Sequence, residues 1–171
     1  MPTTHVPEQF TITLPVTIRS CRETDLADLE WFGLLTEYRQ TITDAFQRFQ
    51  KGEILMLVAE VNRFPAGQVW VDLIKRREEA IGVLWALRVF IPFQSLGIGT
   101  ALIASAEERL KALGFHISEL GVEKDNVQAK HLYERIGYEV VRENIEEWEY
   151  MPPGGVSVHV TSEEWIMHKF L

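Results

Sequence analysis

The chain has 171 residues, 46% hydrophobic and 25% charged, and its 17 basic and 25 acidic side chains leave a net charge of −8. Those figures describe one globular domain able to bury a substantial core. The acidic excess argues against nucleic acid as a partner, since phosphates call for a basic surface, and no apolar run reaches the roughly 18 residues of a membrane span. Residues 1–15, with Pro2, Pro7 and Pro15, read as an extended arm, and the folded domain is expected over 16–171. Val16 to Ser20 alternate apolar and polar residues and predict a first strand. Thr24 or Asp25 can cap a helix starting near Leu26, and a second helix is expected over Glu37 to Gln50. Ile54 to Val61 and Gln68 to Ile74 flank a turn segment containing Asn62, Pro65 and Gly67, a hairpin pattern. Ile81 to Ile91 is rich enough in Val, Ile, Leu and Trp to be a central strand.

After Gly97 the period changes. Ile98, Leu102, Ala106, Leu110 and Leu113 make one apolar helix face, ended by Gly114. Ile117 to Glu123 is the next strand, and Asp125 with Gln128 resembles a capping box opening a helix that stops at Gly137. Tyr138 to Tyr150 and Trp165 to Leu171 read as two strands, joined by a linker with Pro152, Pro153, Gly154 and Gly155. The order is strand, two helices, three strands, helix, strand, helix, two strands, which is a mixed α/β layer fold.

The chemistry concentrates where the central strand meets the next helix, in Gln94-Ser95-Leu96-Gly97-Ile98-Gly99-Thr100. The unpaired N–H groups of a helix start carry the positive end of the macrodipole, and glycines let a diphosphate approach the backbone. A glycine loop without a ligand has the same short pattern, so this segment alone leaves both readings open. A P-loop would need Lys-Ser or Lys-Thr after its last glycine, but Thr100 and Ala101 follow Gly99. A dinucleotide fingerprint would need a third glycine where Leu102 stands.

One strand downstream lie Asn126, Ala129, Leu132-Tyr133 and Gly137-Tyr138. Asn126 and Tyr133 are seven residues apart, two turns, and so share a helix face. A phenol with a pKa of about 10 is protonated at neutral pH and can act as a general acid, although these two residues by themselves read equally as a core aromatic and a simple helix cap. Taken together, Gln94-x-x-Gly97-x-Gly99 and Asn126-x-x-Ala129-x-x-Leu132-Tyr133-x-x-x-Gly137-Tyr138 resemble the two signature motifs of the GNAT superfamily of acyl-CoA-dependent N-acyltransferases. The likeness in element order extends over residues 16–171.

The resemblance implies a mixed, mostly antiparallel sheet of about seven strands with helices on both faces, splayed between the fourth and fifth strands. It implies that acetyl-CoA is the cosubstrate and that an acetyl group moves to an amine. Backbone groups of Leu87 and Val89 would hold the pantetheine arm. Backbone N–H groups of Gln94, Ser95, Leu96, Gly97, Ile98, Gly99 and Thr100 would hold the pyrophosphate. Asn126 would bind the pantetheine side, and the Tyr133 hydroxyl would act as general acid near the sulfur. Many members carry a carboxylate in the fourth strand as general base. Here Ile81 to Phe90 holds Trp85 and Arg88 but no Asp or Glu, which leaves Asp72, Glu119 or an ordered water. That departure keeps a second reading open, a non-catalytic GNAT-fold module that senses acyl-CoA.

The remaining candidates read as background. Cys21, the only cysteine, has no internal disulfide partner and reads as a structural thiol. No leader pattern precedes it, and the expected compartment is the reducing cytoplasm. His5, His116, His131, His159 and His168 lack metal-ligand spacing, so no metal is expected. Glu107 and Glu108 are expected on the polar face of their helix, with Glu107 able to pair with Lys111. Trp31, Phe32, Tyr38, Phe46, Phe49, Trp148 and Tyr150 are either core or walls of an acceptor pocket. The expected partners are acetyl-CoA and an amine such as a small amine, polyamine, aminoglycoside-like compound or peptide amine. Acidity steers such cations inward, though it also serves solubility alone. A homodimer is compatible with the sequence.

Overall fold

The computed structural model describes residues 10–171; the first nine residues of the expected arm, His5 among them, lie outside the described residues. Regular structure starts with β1 (Val16–Ser20), followed by α1 (Arg39–Gln50), β2 (Ile54–Val61), β3 (Phe64–Arg76) and β4 (Ile81–Val89). Then come α2 (Ile98–Ala112), β5 (Ile117–Glu123), α3 (Val127–Arg135), β6 (Glu139–Tyr150) and β7 (Val158–Phe170). One seven-stranded sheet runs β1-β2-β3-β4-β5-β7-β6. Every neighbouring pair is antiparallel except β4 and β5, as expected for the mixed sheet.

Two cores flank the sheet. One buries Leu57, Val69, Leu84, Leu102, Leu110 and Met167 beneath α2, with Ala129 and Leu132 of α3 and the following Ile136 packed on it. The other buries Cys21, Ile42, Phe46, Met56, Val58 and Trp70 beneath α1. Gly82 sets the closeness of α2: a Cβ there would stand 2.2 Å from Leu110 Cδ2. Cys21 is the buried structural thiol expected, its pKa pushed up to about 12 by desolvation and by Asp25. Among the described residues no helix is long and apolar enough to cross a membrane.

Several expected elements differ. No α-helix begins near Leu26; the segment makes short 3-10 turns at Glu23–Asp25 and Asp28–Glu30. Asp25 points back, accepting from Arg22 N–H at 2.7 Å and from Arg19 at 2.7 and 2.8 Å, instead of capping a forward helix. Trp31 and Phe32 then take left-handed φ values of 46° and 57°, which a helix cannot contain. The β2–β3 turn is only Asn62-Arg63, both left-handed, so Pro65 and Gly67 fall inside β3. β7 begins seven residues before Trp165. Leu113 is 55% exposed, past the end of α2. Glu107 is not on a solvated face: it is buried, accepting from Tyr138 Oη at 3.0 Å and Lys169 Nζ at 2.7 Å, while Lys111 pairs with Glu108. Those partners come from β7 and the connection between α3 and β6, about which the periodicity of α2 carries no information.

Candidate active site

Two features open the sheet. β4 and β5 pair only from Ile81 with Ile117 to Leu84 with Leu120, although β4 continues to Val89 and β5 to Glu123. Past Leu84 the facing edges separate and carry no ladder between them. Within β4, Trp85 pairs with Trp70 but Arg88 pairs with Gln68, so one extra residue is accommodated, and Ala86 takes φ 51°. Such a bulge shifts the alternation of side chains by one. Leu87 and Val89 therefore join the α2-side core. Trp85 joins the α1-side core, and Arg88 lies 4.8 Å over the Tyr38 ring.

A cavity of about 880 Å³ occupies the separation. From the α2 side it is lined by Leu87, Val122, Asn126, Ala129 and Tyr133. From the α1 side it is lined by Tyr38, Asp72, Trp85, Arg88, Glu119, Trp148 and Glu164. The two halves meet between β4 and β5.

Beyond Val89 a 3-10 turn at Ile91–Phe93 leads into a loop where Ser95 (φ 61°) and Gly97 (φ 83°) are left-handed. The first intrahelical bond of α2 runs from Ala101 N–H to the Gly97 carbonyl at 3.0 Å. The preceding N–H groups of the helix start, from Gly97 to Thr100, thus have no helical acceptor. A Cβ on Gly97 would meet nothing within 4 Å and one on Gly99 only Val89 Cγ2 at 3.7 Å, so the approach is open. Gly67 seats the helix start: a Cβ there would lie 3.1 Å from Leu102 and 3.2 Å from Ile98. Donors, dipole and open face together fit a diphosphate. Gln94, exposed, folds back on the loop, its Nε2 donating to the Val89 carbonyl at 2.9 Å, so its side chain shapes the loop. Ser95 and Leu96 are exposed on it.

Asn126 is the α3 cap, its Oδ1 accepting from Ala129 N–H at 3.1 Å, where Asp125 with Gln128 was expected. Tyr133, seven residues on, is buried with its ring 6.1 Å from that of Tyr138. Desolvation raises its pKa, so the phenol stays protonated at neutral pH.

The two candidate bases both reach the cavity and both are engaged. Asp72 accepts from Arg48 at 2.7 Å and from the N–H groups of Ile74 and Lys75 at 2.9 and 2.8 Å. Desolvation opposes its ionisation, but these bonds prevail and hold its pKa below the ordinary value. Glu119 is buried between Arg76 and His168, whose Nε2 is 2.7 Å away. A third carboxylate, Glu164, escaped the sequence reading. It lies against Gly121, where a Cβ would be 2.5 Å from its Oε2, and it accepts from Ser162 Oγ at 3.3 Å. Desolvation, then the neighbouring Glu146 and Glu123, raise its pKa. The period-two pattern of Val158, Val160 and Ile166 was the available signal that β7 starts early enough to carry Glu164 into the sheet. Of the early aromatics, Trp31 and Phe46 are core, Phe32 is 86% exposed, and Tyr38 lines the cavity and packs on Trp148 and Tyr150.

With this geometry in view, the sequence model of the acetyltransferase (GNAT) family matches residues 22–138. The chain belongs to the GNAT family. An uncharacterized N-acetyltransferase from Methanocaldococcus jannaschii is 39% identical over 87 residues, 48% of the GNAT chain and 38% of that relative. The chain thus spans well under half of that curated relative's length. The PaiA N-acetyltransferase from Thermoplasma acidophilum, solved in complex with coenzyme A, superposes with a TM-score of 0.69 at 19% identity, covering 92% of this chain and 99% of that one. The ribosomal-protein-S18-alanine N-acetyltransferase from Escherichia coli superposes with a TM-score of 0.69 at 20% identity, covering 91% and 94%. These likenesses show that the GNAT fold spans nearly the whole chain.

Proposed function

We propose that this protein transfers the acetyl group of acetyl-CoA to a primary amine by direct attack in a ternary complex. One observation carries the reading: a single cavity passes between β4 and β5, with Tyr133 on one side and Arg88, Glu164 and aromatic rings on the other. The PaiA neighbour's complex with coenzyme A supports the choice of cosubstrate. In this reading the N–H groups from Ser95 to Thr100 hold the pyrophosphate, that of Gln94 being taken by the Ile91 carbonyl at 3.2 Å, and Leu87, Val89 and Asn126 flank the pantetheine. The amine enters from the α1 side. Its nitrogen must lose a proton before it attacks the thioester carbonyl. Asp72 and Glu119 are poor takers, since a carboxylate held by a guanidinium gains little by protonation. Glu164, without an ion pair among the described residues and raised in pKa, is the better base, directly or through water. Glu164 takes one ammonium proton before attack; the C–N bond then forms, and as the C–S bond breaks Tyr133 gives its proton to sulfur while the nitrogen sheds its second proton to solvent, from which Tyr133 is reprotonated.

Thiol release measured over a panel of amines tests the reading. Release with any of them upholds it. Coenzyme A binding without release from any amine would make the protein a sensor, and no binding at millimolar coenzyme A would remove the nucleotide altogether. The base assignment has its own signature. Glu164 works only ionised, and its ionised fraction grows as pH climbs through its elevated pKa. kcat/KM should therefore rise with pH at values above the ordinary carboxylate range. Glu164→Gln should abolish that limb and lower the plateau by about 10²-fold or more. An unchanged pH profile would exclude Glu164.

A further inference from the structure

The α1-side half of the cavity contains more carboxylates than cations, yet its charges are not uniformly paired. Asp72 is matched by Arg48, Glu119 by Arg76 and Glu146 by Lys75. Arg88 has no such match. Its guanidinium is half-buried, lies on the Tyr38 ring, and forms no ion pair or side-chain hydrogen bond among the described residues. Desolvation lowers its pKa, with only through-space help from Tyr38 and Glu37. An unmatched buried charge is costly, and proteins normally remove it or pair it.

Arg88 is not the one unpartnered polar group on this face among the described residues. Its cross-strand partner Gln68 is fully buried with both amide atoms unbonded. The indole N–H groups of Trp70 and Trp85, themselves a cross-strand pair two places along, are also buried and unbonded. Trp70, Trp85 and Arg88 all line the cavity. The β4 bulge is what gathers them, because it puts Arg88 on the same face as the two tryptophans. The Gln68 and indole atoms are sealed from the cavity, whereas Arg88 lines it, so Arg88 is the cation that an anion entering the cavity would meet. Guanidinium presents a planar fork that matches a carboxylate through two parallel hydrogen bonds.

Resting on the transfer reading above, we propose that the acceptor is a zwitterionic amine, with its carboxylate held by Arg88 and its ammonium facing Glu164. An amino-acid-like acceptor follows, in place of a polyamine, and Tyr38, Trp85 and Trp148 offer apolar walls for its side chain.

Matched probes test this: phenylalanine against phenethylamine, tyrosine against tyramine, lysine against cadaverine. For each pair, kcat/KM from thiol release and thermal shift of the coenzyme A-loaded protein are measured. At least one carboxylated member should exceed its partner by about tenfold or more in both readouts, the scale of a charge-assisted hydrogen-bond pair. Arg88→Met should erase the difference, Arg88→Lys should restore part of it, and neither should change the Kd of coenzyme A. Equal or better use of the decarboxylated amines would overturn the proposal while leaving acetyl transfer standing. Weaker coenzyme A binding by Arg88→Met would also overturn it, since Arg88 would then serve the cosubstrate. Arg88-dependent binding of a carboxylated probe without thiol release would uphold the anion site and defeat the transfer reading. No discrimination in either readout defeats the proposal.

Discussion

Replacing Tyr133 by Phe should lower turnover by about 10²- to 10⁴-fold, the usual contribution of a general acid, with the Kd of coenzyme A nearly unchanged. The substitution removes one donor and almost no volume. The ring is buried against Tyr138, and that contact persists in phenylalanine. What disappears is a hydroxyl that burial keeps protonated at neutral pH and that the proposed mechanism uses to protonate the sulfur. Single-turnover rates separate the chemical step from product release. A lower melting temperature or lost cofactor binding would make Tyr133 a core aromatic, and an unchanged chemical step would remove it from the mechanism.

Gly99→Asp should weaken coenzyme A binding by about three orders of magnitude while the protein stays folded. Two unit charges about 4 Å apart at an effective dielectric near 20 repel by about 4 kcal/mol. The new carboxylate would stand among the helix-start N–H groups to which the proposal assigns the diphosphate. The fold should tolerate it for two reasons. A Cβ at Gly99 makes only an ordinary contact with Val89 Cγ2 at 3.7 Å, and an acidic side chain in the first turn of a helix is favoured by the macrodipole. Calorimetry for binding and a melt for stability check both halves. Parent-like affinity would mean that the diphosphate lies elsewhere. Gly97 is a less clean probe, because its φ of 83° makes any side chain there strained.

The motif positions were legible because they encode local geometry. Gly97 and Gly99 open α2, and Asn126 and Tyr133 share a face of α3 by spacing alone. Leu102, Ala106 and Leu110 were predictable as core for the same reason, since one helix period sets all three. Glu107 was misread by that logic: its partners Tyr138 and Lys169 are distant in sequence, and only the packed fold brings them to it.

The base and the acceptor pocket lie on the other side of this divide. Local alternation is enough to propose strands and a mixed α/β sheet, and helix-start chemistry is enough to propose an anion cradle. Neither records where two strands stop pairing. The gap past Leu84 and Leu120, and the extra residue in β4 that turns Arg88 toward Tyr38, are properties of register. Register depends on long-range packing, and a one-residue shift changes the face of every side chain beyond it. For that reason Asp72 and Glu119 looked like free carboxylates in the sequence but are held by Arg48 and by Arg76 with His168 in the fold. Glu164 and Arg88, unremarkable in sequence, become partly buried charges without an ion pair among the described residues, on the α1 side of the gap.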